Sequence, residues 1–334
     1  MSETVPVPEP PGLPIIGWNV SAIDPASPLK SLKSLASQYG EIYRLHLPPG
    51  PLVVCSSHAL VDELCDEKRF IKIPDSALRE IRHAVHDGLF TAFIDEENWG
   101  IAHRVLVPAF GPVSIRGMFD EMRDIASQLA MKWARYGPNT PINVSEDFTR
   151  LALDTLALCS MDYRFNSFYK EEMHPFVEAM GSFLVESGNR SRRPALASWF
   201  YSRENQQYAS DIETLRQTAD EVLQYRKAHP SDRKDLLNAM LKGVDPKTGK
   251  KMTDQSITDN LITFLIAGHE TTSGLLSFTF ACLLKHPEYY RRAQQEVDEV
   301  IGKGQITIDH LNKLPFITAV RFPATLATLA LPSR

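Results

Sequence analysis

The sequence predicts a mainly α-helical protein with a small β-sheet near its N-terminus. Only one stretch, residues 40–57, alternates at the period of a strand. From about residue 58 onward apolar residues recur every three or four positions, the period of a helix with one buried face. Residues 254–285 carry no proline and only two glycines, Gly268 and Gly274.

In chain order, residues 1–20 are a proline-rich lead-in that opens with acid and proline. With no basic head before an apolar run, neither a secretory signal nor a membrane anchor is expected there. A helix is expected over Leu29–Tyr39, then a hairpin in GEIYRLHLPPGPLVVCSS around Pro48-Pro49-Gly50. Further helices are predicted over Met118–Tyr136, Glu146–Cys159 and His174–Gly188. Arg190–Arg203, rich in Ser, Arg and Pro, reads as a surface loop before a polar helix from Glu204 to His229. Asp232 opens a short helix that closes at Gly243, and VDPKTGKKMTD is a turn-rich connector. Thr253 or Asp254 caps the long helix after it. As one helix, 254–285 would be about 48 Å long, and a helix so largely apolar should cross the middle of the protein.

The 334 residues suit one large domain. A composition 43% hydrophobic and 23% charged is that of a soluble globular protein. The formal charge of -5 is spread along the chain, and no basic stripe with interleaved aromatics points to nucleic acid. The apolar region Leu261–Leu284 is interrupted by His269 and Glu270, so no membrane span is expected. Cys55, Cys65, Cys159 and Cys282 lack CxxC spacing, sit in mostly apolar surroundings and read as reduced, buried cysteines of a cytoplasmic protein.

The chemistry is concentrated in Ala267-Gly268-His269-Glu270-Thr271-Thr272. A buried helix gains nothing from such a run: glycine costs roughly 0.5–1 kcal/mol against alanine, and the polar groups need partners. One Gly-Thr pair would be ordinary helix packing; six such residues between ITFLI and SGLLSF are not. Small residues at 267 and 268 let a flat, bulky group lie against the backbone. The Thr271 hydroxyl can bond the Ala267 carbonyl and open the helix there. His269-Glu270 also begins an H-E-x-x-H zinc pattern, but the fifth position is Ser273, so that reading fails and no protein metal ligand is assigned.

The segment Ala267–Ser273 resembles the oxygen-binding motif in the long central helix of cytochromes P-450. The string ITFLIAGHETTSGLLSF, with YRFNSFY at 163–169, DGLFT at 87–91 and DLLNAMLKG at 235–243, is similar to the haem domains of self-sufficient fatty-acid hydroxylases, which are fused to a flavin reductase. Matching blocks run from about Gly12 to Val320. The resemblance implies a cytochrome P-450 fold and a haem cofactor. NADPH, FMN and FAD would act only through a reductase partner outside these residues. By the same resemblance Thr271 and Glu270 organise proton delivery to bound dioxygen, and Ala267 and Gly268 lie against the haem face. Trp99 and His103 fall where the haem propionates are held, and Lys72, Leu89 and Phe110 on other haem-contacting positions. Phe90 matches the ring that steers which substrate carbon reaches the iron, and Leu78, Val85 and Ile266 line the channel.

Two departures from the family pattern stand out. The positions whose Arg and Tyr hold a fatty-acid carboxylate in the bacterial relative correspond to Gly50 and Val54, neither of which can do so through a side chain. Arg44 is a basic residue that could substitute. After Val320, RFPATLATLALPSR replaces the expected Glu-x-x-Arg helix, with Pro323 and Leu326 where Glu and Arg should stand. Residues 1–320 are thus expected to be a partial haem domain, incomplete at the C-terminus and lacking the cysteine-ligand loop, and 321–334 an aberrant tail of frameshift or intron origin. The expected activity is insertion of one oxygen atom of O2 into a C–H bond of a fatty acid or similar apolar substrate. The alternative is a truncated, inactive fragment that at most binds haem or an apolar ligand.

Overall fold

The computed structural model describes residues 5–14, 17–24, 26–47, 50–193 and 199–320. Pro48 and Pro49 of the hairpin turn, residues 194–198 of the expected surface loop and the tail 321–334 lie outside the described residues.

Helix α1 (Pro28–Tyr39) leads into strands β1 (Ile42–Leu47) and β2 (Gly50–Cys55), which pair antiparallel with Tyr43 opposite Val54 and Leu45 opposite Leu52. Tyr43 and Leu45 are fully buried and, with Leu35 of α1, form a satellite core. The buried Asn19 ties the lead-in to this hairpin, accepting the His46 amide at 2.8 Å and donating to the Pro10 carbonyl at 3.3 Å.

The helical body comprises α2 (His58–Leu64), α3 (Ala77–Val85), α4 (Glu97–Leu106), α5 (Pro112–Arg116), α6 (Phe119–Ala134), α7 (Val144–Met161), α8 (Pro175–Arg190) and α9 (Ser202–Ala228). It continues with α10 (Leu236–Lys242), α11 (Asp254–Lys285) and α12 (Pro287–Val300). The expected long helix is one element with the predicted bounds, and Thr253 caps it by accepting the Ser256 amide at 3.2 Å. Helix α8 runs on to Arg190, past the expected end at Gly188. Helix α10 starts later than expected: its cap is Asp235, which accepts the Asn238 amide at 2.8 Å, and Asp232 stays outside. Asp235 wins because Arg226 of α9 already holds its carboxylate in the interior, at 2.7 and 3.2 Å.

The main core gathers apolar side chains from α3, α4 and α7 to α11, among them Leu153, Phe176, Phe183, Leu215, Leu237 and Leu261. Several charged side chains that enter this core are held by hydrogen bonds. Arg150 of α7, almost wholly buried, donates to the carbonyls of Ser167, Lys170 and Glu171 at 2.5, 2.9 and 2.6 Å and so anchors the loop after α7. The buried Asp154 accepts the Ser167 hydroxyl and amide at 2.6 and 2.8 Å. Burial outweighs these bonds and raises its carboxyl pKa. Arg104 of α4 grips Asp245 bidentately at 2.6 and 2.8 Å, holding the connector before α11.

Arg226 and Asp235 are each 3% exposed, so removing one partner strands a charge in the interior. Asp235→Ala also removes the α10 cap. We expect a loss of roughly 3–5 kcal/mol in urea unfolding; a change below about 1 kcal/mol would contradict this account of the pair.

Candidate functional site

Helix α11 changes character along its length. From Ser256 to Leu265 nearly every side chain is buried. Beyond that Leu265, His269 and Ser273, spaced at four residues, keep one buried stripe, while Ala267, Glu270, Thr271 and Thr272 are exposed. Gly268 faces α7: a Cβ there would lie 2.8 Å from Leu156 Cδ2, so glycine is what lets the two helices approach. The Thr271 hydroxyl donates to the Ala267 carbonyl at 2.8 Å, as the spacing predicts. The helix does not open there, however, and is continuous from Asp254 to Lys285. A carbonyl oxygen has two lone pairs and can accept the hydroxyl without giving up its main-chain bond.

Trp99 and His103, one turn apart on α4, stack with ring centroids 5.0 Å apart and planes 22° apart. His103 is exposed, and neither ring bonds a described residue. The Lys72 ammonium donates to the Phe90 carbonyl and sits 4.7 Å from the centroid of the Phe90 ring. Partial burial lowers its pKa. Phe90 is 53% exposed, whereas Leu89 and Ile266 pack against the main core and Val85 is inside it. Leu78 is half-buried, and the exposed Phe110 meets Phe264 edge-on at 5.8 Å. The structure thus joins Lys72 to Phe90, Trp99 to His103 and Thr271 to Ala267. No hydrogen bond among the described residues links the Trp99–His103 pair to residues 267–271.

Two functional candidates carry no motif. Asp259 and Asn260 of α11 are wholly buried and bind the loop after α3: Asp259 accepts from His86, and Asn260 accepts the Leu89 amide at 3.0 Å. Their one trace in the sequence is a carboxylate and an amide set just before an otherwise apolar run. On the hairpin, cross-strand register puts Gly50 and Val54 on the Tyr43–Leu45 face and Arg44, opposite Val53, on the other. Arg44 therefore cannot stand in at those two positions.

Set against the haem implied by the resemblance, the residues present fit the macrocycle. Ala267 and Thr271 are small, exposed side chains one turn apart on the same face of α11, and the Trp99 indole N–H, the His103 ring and the Lys72 ammonium offer donors to carboxylates. None of the four cysteines fits as an axial thiolate at that stretch. Cys159 is buried and its thiol is pushed up to about 12, chiefly by burial. Cys282 lies eleven residues past Thr271, about 16 Å along the helix. Of the four cysteines expected to be buried only Cys159 is: Cys55, on β2, and Cys282 are half-buried and Cys65 is exposed, because the short helix α2 that it ends buries no residue. Among the described residues no helix is long and apolar enough to cross a membrane.

The family model described as Cytochrome P450 matches residues 7–320. Over 321 residues the chain is 61% identical to a bifunctional cytochrome P450/NADPH–P450 reductase of Fusarium oxysporum, covering 96% of this chain and 30% of that protein. A protein of the same name from Aspergillus oryzae is 57% identical, over 96% of this chain and 29% of its own length. A self-sufficient cytochrome P450 monooxygenase of Phanerodontia chrysosporium is 50% identical, over 95% and 30%. The chain therefore spans about 30% of the length of these curated relatives.

His269 supplies a test of the motif's buried side. Both ring nitrogens are buried with no hydrogen-bond partner among the described residues, and burial lowers its pKa from 6.5 to about 4. The unfolded chain then takes up a proton that the folded one refuses. The stability that the neutral ring allows is complete above pH 6.5 and is lost as pH falls towards 4, by about 3 kcal/mol. Replacing His269 by Phe should remove that part of the acid dependence of urea unfolding. An identical pH profile for H269F and wild type would show that the ring is not held neutral.

Proposed function

The chain belongs to the cytochrome P450 family, and from that premise we propose that it is the haem-bearing part of a monooxygenase that inserts one oxygen atom of O2 into a C–H bond of a medium or long fatty acid or a similar apolar substrate. Electrons come from NADPH through the FMN and FAD of a reductase. A reductase partner is supported by relatives that are themselves P450–reductase fusions. The observation that carries the reading is the Thr271 hydroxyl, held 2.8 Å from the Ala267 carbonyl on the exposed side of a helix whose preceding turns are buried in the core.

The haem supplies dioxygen activation and atom transfer to carbon. The chain's own residues bind, orient and deliver protons. Ala267 offers the backbone contact, Leu89 and Phe110 apolar contacts, and Trp99, His103 and Lys72 donors for the propionates. Phe90, with Leu78 and Ile266, packs an apolar chain and keeps water from it, whereas Val85, expected to line the channel, is core. The Thr271 hydroxyl holds a proton at Oγ1, and the exposed Glu270 carboxyl beside it replenishes that proton from solvent.

The placement of the four cysteines favours a second reading for this polypeptide taken alone: a binder of haem or an apolar ligand without redox chemistry. The carbon-monoxide difference spectrum of the reduced, haem-loaded chain separates the two. A thiolate-type Soret band supports the monooxygenase in this chain; a histidine-type band, or none, assigns the activity to a longer protein. In a preparation that oxygenates a fatty acid, Thr271→Ala should lower product formation by about 100-fold and Thr271→Ser should restore much of it. Equal product from T271A and wild type would refute the proton role.

A further inference from the structure

The loop 86–91 carries Leu89 and Phe90, and it is fastened to α11 at three places. At its start His86, in the left-handed region at φ +39°, places Nδ1 3.0 Å from Asp259 Oδ1. Asp259 is fully buried and also accepts from Arg216 at 2.8 Å, while Arg216 donates to the Ala84 carbonyl at 2.8 Å. In its middle, Gly88 rests on the helix: a Cβ there would be 2.6 Å from Thr263 Oγ1 and 3.2 Å from the Asp259 carbonyl. At its tip the Leu89 amide donates to Asn260 Oδ1 at 3.0 Å, and Asn260 Nδ2 donates to the Ser256 carbonyl at 2.7 Å. Both ends of this fully buried amide are therefore committed.

The position of Asn260 on its helix matters as much as its bonds. At 100° per residue, Asn260, Ala267 and Thr271 fall within about 20° of one stripe, and residue 260 is two turns, about 10 Å, ahead of 267. The tip of the loop hangs from the head of the very face that exposes Ala267 and Thr271. Moving the Leu89 amide moves the Phe90 backbone with it, and Phe90 has no core packing of its own at 53% exposure.

We propose that Asn260 is a positioning residue for the oxygenation: by accepting the Leu89 amide it fixes the register of the Leu89–Phe90 backbone along the Ala267–Thr271 stripe, and so sets which carbon of an apolar substrate is attacked. This rests on the monooxygenase reading. Asn260 need not touch substrate or haem.

The test uses two variants and two readouts. Asn260→Leu keeps the volume and removes the acceptor. Asn260→Asp, neutral in this buried site, keeps an oxygen for the Leu89 amide and a hydroxyl for the Ser256 carbonyl. By hydrogen exchange, the Leu89 amide should exchange about tenfold faster in N260L, with the amides of 261–265 still protected, and at the wild-type rate in N260D. In the oxygenating protein, N260L should change the ratio of products hydroxylated at neighbouring carbons by about threefold or more, with N260D near wild type. Unchanged exchange in N260L overturns the clamp. Released exchange with an unchanged product ratio overturns the positioning role. A wild-type protein that gives no oxygenated product overturns the monooxygenase reading itself, whatever the Leu89 amide does.

Discussion

From Ser256 to Leu265 helix α11 is buried on nearly all sides, and the molecule is arranged around that burial. A helix enclosed by protein must satisfy every polar side chain it carries and must find neighbours that come close enough to leave no void. Between Ser256 and Thr263 helix α11 meets the first demand by spending its polar residues on its surroundings, and His269 further along is the exception. Asp259 binds the α3–α4 loop and α9, Asn260 binds Leu89, and Thr258 donates to Asp220 at 2.7 Å. It meets the second with Gly268 against Leu156 of α7. The same helix then exposes one side at Ala267, Glu270 and Thr271. A rigid, enclosed base thus presents a short polar segment whose position is set by the core.

Much of this was legible in the sequence because it depends on local patterning. The hairpin follows from alternation, and the bounds of α11 from an absence of proline and a capping threonine. The Thr271–Ala267 bond follows from a four-residue spacing. The features that were not legible depend on tertiary partners. Asp235 caps α10 in place of Asp232 because Arg226 arrives from another helix. Gly268 reads equally as a bed for a flat ligand or as a packing contact until Leu156 is seen beside it. Arg44 lies on the wrong face for a residue read only by its distance along the chain. Asn260 resembles any polar residue in a helix because its partner, an amide 171 residues away, has no sequence signature.

Paired charge does a related job elsewhere in the interior. Arg150, Asp154, Arg226 and Asp245 each collect partners from loops that apolar packing alone would leave loosely placed. Buried ion pairs contribute little net stability, because desolvation offsets most of the attraction. Their effect here is one of geometry: Arg104 and Asp245 fix where the chain enters α11, and Arg150 fixes the loop leaving α7.

The thiols differ from one another in a way that makes the protein its own unfolding gauge. Cys65 is exposed, whereas Cys159 is buried with its proton held to about 12. An alkylating reagent attacks thiolate, so the exposed Cys65 is labelled in the folded protein while Cys159 reacts only when the α6–α7 region opens. The rate of Cys159 labelling, read by mass and divided by its rate in the unfolded chain, is the population of that open form, obtained without any cofactor signal.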